Sequence, residues 1–237
     1  MNLSPVDKDD FEKKKHKNDS GKMNRSLNDW VHEKPDTKQS EKPDTKQNEK
    51  PDVNTKETIM ETFPGIEKLI LDCKRCDLHK TVTNKVISKG STHPKVVFIG
   101  EAPGKNEDET GIPFCGRAGK LLDKMIDYMK LKEEDWAVIN TIKCRPPENR
   151  TPTVKEIEIC RPFLTAQLNL MNPAVIILLG NTAEKAFGES AGWGEVKKTK
   201  DGKNILKIFH PAAMIYKRER EQEQYAFLDK YKYLWAD

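Results

Sequence analysis

Four of the five cysteines are spaced as ligands of a metal centre. Cys73 and Cys76 form a C-x2-C pair in DCKRCDLHK, Cys144 lies in IKCRPPENR, and Cys160 follows 16 residues later. A lone cysteine is most often a small buried hydrophobe. A C-x2-C knuckle joined by two more cysteines near polar, proline-rich turns instead suits four thiolates on one centre. Structural zinc more often shows two such knuckles. One knuckle with two dispersed ligands leans toward an iron–sulfur cluster and leaves zinc open. Cys115, in IPFCGRAG, stands apart from this set and is read as free.

Three further segments carry groups that could act on a ligand. The first, GEAPGKNEDETGIPFCGRAGKLL, holds the carboxylates Glu101 and Glu107 and the aromatic Phe114. One carboxylate could orient a water as a general base, and Phe114 could stack on a planar ring or simply belong to the core. Gly100 and Gly104 let backbone approach a ligand, and a helix opening near Gly116 offers its N-terminus to an anion. The second segment leaves an apolar run at Asn140, either a turn cap or a reader of a hydrogen-bonding edge. Asn149 and Arg150 follow on the same loop, within reach of phosphate. The third is FHPAAM, whose His210 could stabilise developing charge, although a lone histidine is more often structural.

The elements that must position these groups follow from the apolar pattern. Runs bounded by turn signals predict strands at 96–100, 136–140, 174–180 and 205–209. Helical stretches are expected at 118–131, 154–171, 182–187 and 218–235. Strands alternating with helices indicate parallel βαβ units. The expected fold is a three-layer αβα sandwich around a central, largely parallel four-stranded sheet. Ligands bind at the carboxyl ends of such strands, and Glu101, Asn140 and His210 all fall there.

Composition sets the frame. Of 237 residues, 35% are hydrophobic and 34% charged, and the deficit is concentrated in the first 57. That stretch contains EKPDTKQS, EKPDTKQN and EKPD in tandem, with 13 basic and 13 acidic residues, so the net +4 belongs entirely to the remainder. It is read as a disordered tail, because it cannot bury enough apolar surface to offset its ordering entropy. Residues 58–237 form the expected catalytic domain. No apolar run is long enough to span a membrane, and the N-terminus lacks the apolar core of a secretory signal. The modest positive excess permits a nucleic-acid-binding face without requiring one.

Together, GEAPGKNEDETGIPFCGRAGKLLDKM, INTIKCRPPENRTPT, VIILLGNTAEKAF and FHPAAM, with Cys73, Cys76, Cys144 and Cys160, resemble the family 4 uracil-DNA glycosylases. The resemblance spans about residues 60–220. It implies hydrolysis of the N-glycosidic bond of uracil in DNA, leaving an abasic site in base excision repair. It also implies a [4Fe–4S] cluster, structural in role, on the four cysteines. By the same resemblance Phe114 stacks on the flipped uracil, Asn140 reads its edge and His210 stabilises the departing anion. Glu101 positions water and the cationic sugar, with Glu107 and Asn149 contributing. Ala102 and Gly104 line the substrate side of their loop; another glycosylase family carries aspartate where this chain has Ala102. Met214, four residues after His210, is the candidate wedge for the gap left by the flipped base. The implied partner is uracil-containing DNA, single- or double-stranded, bound by a monomer that is cytoplasmic and nucleoid-associated. Two rivals stand beside this reading. One is a glycosylase for another deaminated base, and the other a non-catalytic iron–sulfur protein that binds nucleic acid.

Overall fold

The computed structural model describes residues 60–237 apart from 190, 218 and 237. The repeat-bearing tail lies outside the described residues. The sheet has six strands: β1 (Lys89–Gly90), β2 (Val96–Gly100), β3 (Trp136–Asn140), β4 (Val175–Leu179), β5 (Val196–Lys198) and β6 (Asn204–Ile208). Their spatial order is β1-β3-β2-β4-β6-β5. The four expected strands form its parallel centre. The two additions pair antiparallel at the edges. They are two and three residues long and mostly lysine or glycine, so they carry no apolar run to betray them.

Side chains alternate across the sheet with period two. Val96, Phe98, Val138, Ile177 and Leu206 face one layer, whose helices are α3 (Arg117–Tyr128), α6 (Pro211–Tyr216) and α7 (Glu219–Tyr231). Val97, Ile99, Ile139, Ile176 and Ile205 face the other, built by α4 (Val154–Met171) and α5 (Asn181–Phe187). Burial on both faces is what makes the central strands read as unbroken apolar runs. The first helix, α1 (Phe63–Leu71), docks on α4 through Ile66, Ile70, Phe163 and Ala166. A short α2 (Lys105–Thr110) sits in the loop between β2 and α3. Among the described residues, no helix is long and apolar enough to cross a membrane.

The chain runs from β2 outward to β3 and then returns to place β4 on the other side of β2. This reversal leaves a crevice beyond the carboxyl ends of β2 and β4, where open α/β sheets bind ligands.

Candidate active site and cysteine pocket

At the carboxyl edge, Gly100 of β2 lies opposite Asn140 of β3. The two loops beyond are stitched together. Thr141 donates to the Gly100 carbonyl through both its N–H and its hydroxyl, each at 2.9 Å, and Ile142 N–H donates to the Glu101 carbonyl. Asn140 is 2% exposed, and among the described residues its Oδ1 has no hydrogen-bond partner. An orphaned buried acceptor costs free energy, so this oxygen, placed at a strand end beside a crevice, is free to accept from a ligand's donor.

Gly100 forms the floor beneath it. A Cβ there would lie 2.4 Å from Asn140 Oδ1 and 2.7 Å from the Phe114 ring. Phe114 is held at φ 53°, and the Cβ of any larger residue at Gly119 would come within 1.6 Å of its carbonyl oxygen. Its ring stacks with that of His210 at a centroid distance of 5.6 Å and 30°. Gly180, after β4, lies against the His210 Cβ.

His210 caps α6. Its Nδ1 accepts from the Ala212 N–H at 3.2 Å, which places the remaining ring proton on Nε2. Burial pushes its pKa from 6.5 down to about 4. The group presented to the pocket is therefore a neutral N–H donor.

Glu101 Oε2 accepts from the Thr182 hydroxyl at 2.6 Å. This bond spans the crevice from the end of β2 to the start of α5. Thr182 was not singled out by its sequence, where a threonine in the first turn of a helix reads as an ordinary capping residue.

Glu107 is placed differently from the expected catalytic group. Its two oxygens accept from the Gly104 and Gly116 N–H groups at 3.1 and 3.2 Å, closing the loop around α2. Asp108 pins the same helix by accepting from the Thr83 and Asn84 N–H groups. Ala102 packs against the core on the α4 side. Asn149 is bound to Arg145 Nε at 2.7 Å in an exposed turn, and no described contact joins it to the pocket. Met214 is 6% exposed and packs in the core with Phe114 and Met125. A buried side chain cannot enter a base stack in this conformation, so the position expected to supply a wedge is instead a core position. The apolar groups that protrude from α6 are Ile215 and Tyr216, the latter 80% exposed.

On the α4 side, Cys73, Cys76, Cys144 and Cys160 line one pocket together with Ile70 and Phe163. Burial, and then the neighbouring Cys160, Cys76 and Cys73 sulfurs, push the Cys144 thiol up to about 12. Burial raises Cys160 to about 11. Thiols held up mainly by burial, in a pocket that four cysteines line together, suit a cationic centre that would hold them as thiolates. Among the described residues, no three His, Cys, Asp or Glu side chains close around the position of a single ion. The loop from Cys144 to α4 is fixed by a bidentate Arg150–Glu156 pair at 2.7 and 2.9 Å, which holds the Glu156 carboxyl down at about 2. Cys115 lies elsewhere, its sulfur 3.2 Å from the Thr110 hydroxyl.

The parallel αβα sheet with an amide, an aromatic and a neutral histidine at its carboxyl edge defines a base-binding enzyme class. Residues 87–234 match the profile of the Uracil DNA glycosylase superfamily. The chain is 40% identical to a Type-4 uracil-DNA glycosylase of Archaeoglobus fulgidus over 69% of its length and 88% of the relative's. It is 39% identical to one of Thermotoga maritima over 70% and 88%. A Type-5 uracil-DNA glycosylase of Pyrobaculum aerophilum is 26% identical over 53% and 64%. The chain belongs to the Uracil DNA glycosylase superfamily and, within it, to the type-4 family.

Proposed function

We propose that the protein excises uracil from DNA by hydrolysing its N-glycosidic bond, starting base excision repair. The observation that carries this reading is the orphaned Asn140 Oδ1 beside the Phe114 and His210 rings. A base within a duplex is inaccessible, so the target nucleotide is extruded or taken from a single strand. Uracil presents an N3–H donor to Asn140 Oδ1 and an O4 acceptor to the amide N–H. Cytosine reverses both, and a site built on such bonds discriminates by roughly 10⁴–10⁵-fold. Phe114 supplies the stacking face.

The C1′–N1 bond breaks with its electron pair passing to the uracil ring, and the His210 Nε2–H stabilises the resulting anion. A neutral imidazole suits this role, because its Nε2–H donates to the anion without the cost of burying an imidazolium. Glu101, oriented by Thr182, stabilises the oxocarbenium-like sugar and accepts the proton of the attacking water. Glu107 acts as a brace for the loop, and Gly104 with Ala102 keeps the approach to the sugar open. Asn149 and Arg150 face the phosphates, and Tyr216 with Ile215 takes the gap-filling part expected of Met214.

Cys73, Cys76, Cys144 and Cys160 would hold a [4Fe–4S] cluster. The donor set supports this: four cysteines line one pocket, as one knuckle and two dispersed ligands. When bound, the cluster supplies cross-linking: it ties α1 and the β3 loop to α4. Residues 58–237 carry the whole activity as a monomer on single- or double-stranded DNA, in the cytoplasm at the nucleoid, and 1–57 are dispensable for it. The test is release of free base by the full chain from oligonucleotides containing one dU. Release of uracil without added nucleotide supports the reading. No release from brown, iron-replete protein would remove it.

A further inference from the structure

Lys143 is a buried cation that the reaction above does not use. It is 2% exposed, and its Nζ donates to the Asn140 backbone carbonyl at 2.6 Å. Its backbone N–H is directed at the Cys160 sulfur, and its carbonyl accepts from Val86 N–H at 2.8 Å. The side chain also lines the cysteine pocket. Its charge is taken out of water beside the four cysteines of that pocket. A buried ammonium without a counter-charge is costly. Thiolates holding a metal centre would provide that charge one residue away.

We propose that Lys143 is a positioning residue that couples the cysteine pocket to the base-reading amide, holding Cys160 with its backbone and the Asn140 carbonyl with its ammonium. This rests on the uracil and cluster readings given above. An anionic cluster on these cysteines would keep the ammonium in place, and the ammonium, on the Asn140 carbonyl, keeps the end of β3 from rotating the Asn140 side chain off its aim. A metal centre that takes no part in bond cleavage thereby contributes to recognition of the base. Asn149 and Arg150 sit farther along the β3 loop, where Arg150 is held by its own bidentate pair with Glu156, so the grip on the DNA backbone does not run through the Lys143 side chain.

Lys143→Met and Lys143→Arg, purified with iron, separate the possibilities. For Lys143→Met the affinity for free uracil is expected to fall about tenfold. Affinity for DNA carrying an abasic analogue is expected to stay within about twofold, and iron loss to a chelator to quicken about tenfold. Lys143→Arg keeps the charge and is expected to stay within about threefold of the natural protein on all three. Unchanged uracil affinity in Lys143→Met, equal loss of uracil and abasic-DNA binding, or equal defects in both variants would overturn the proposal. The unaltered protein supplies a test that does not depend on a variant folding. Coupling is reciprocal in binding free energy, so saturating free uracil must raise the fraction of iron retained at equilibrium with a graded chelator, and no rise would also overturn the proposal. Failure of the underlying readings looks different: an iron-free natural protein, or Asn140→Ala binding uracil normally.

Discussion

The unpartnered Asn140 Oδ1, one of two such buried atoms among the described residues, is the centre of the site at the residue scale, and Gly100 leaves it open. Gly100→Ala would push a methyl against both that oxygen and the Phe114 ring. It should abolish uracil release and also lower the thermal midpoint, because Asn140 and Phe114 are both buried and must shift to admit the methyl, as measured by base release and calorimetry on one preparation. His210 makes a prediction about protonation. Its folded pKa of about 4 lies below the ordinary 6.5, so the unfolded chain takes a proton that the folded one refuses. Stability is therefore indifferent to this group above pH 6.5 and declines as pH falls from there toward 4. Imidazole resonances of His210 should show the neutral Nε2–H form throughout pH 5.5–8, and a midpoint near 6.5 would contradict the assignment. His210→Ala should lower the rate of bond cleavage by roughly 10²–10³-fold, with far less effect on DNA binding. Thr182→Val removes a hydrogen bond to a carboxylate, worth about 1.5–3 kcal/mol. Single-turnover rates should fall by about tenfold or more with KM unchanged, and Thr182→Ser should restore them.

At the scale of elements, the crevice exists because strands and loops are locked in pairs. Thr141 and Ile142 zip the β3 loop onto the β2 end, and Glu101–Thr182 bridges to α5. The close packing of Gly119 under Phe114 makes α3 part of the site. Gly119→Ala should cost about 1–3 kcal/mol or more, and it should lower the denaturation midpoint and uracil release together, its Cβ meeting the Phe114 backbone rather than a side chain. The central strands could be read in advance because burial on both faces leaves runs such as Val175–Leu179. The edge strands could not, since Lys89–Gly90 and Val196–Lys198 carry no such run. Spacing alone put Met214 four residues beyond His210 and suggested an insertion side chain. Only the packing of α6 revealed that this face turns into the core while Tyr216 turns outward. Thr182 and Lys143 were equally hidden, because their partners lie 81 and 17 residues away along the chain or on a backbone carbonyl that no motif marks.

For the whole molecule, the division between a charge-balanced tail and a domain carrying the net +4 is visible in composition. A chain starting at residue 58 should match the full chain in uracil release within about twofold. The most direct test of the central claim compares single-turnover release of free base from oligonucleotides containing one dU, using the iron-replete natural protein and Asn140→Asp. The account predicts rapid uracil release by the natural protein, none from a matched dC oligonucleotide, and a loss of at least about 100-fold in Asn140→Asp. Uracil release by Asn140→Asp at the natural rate would contradict it.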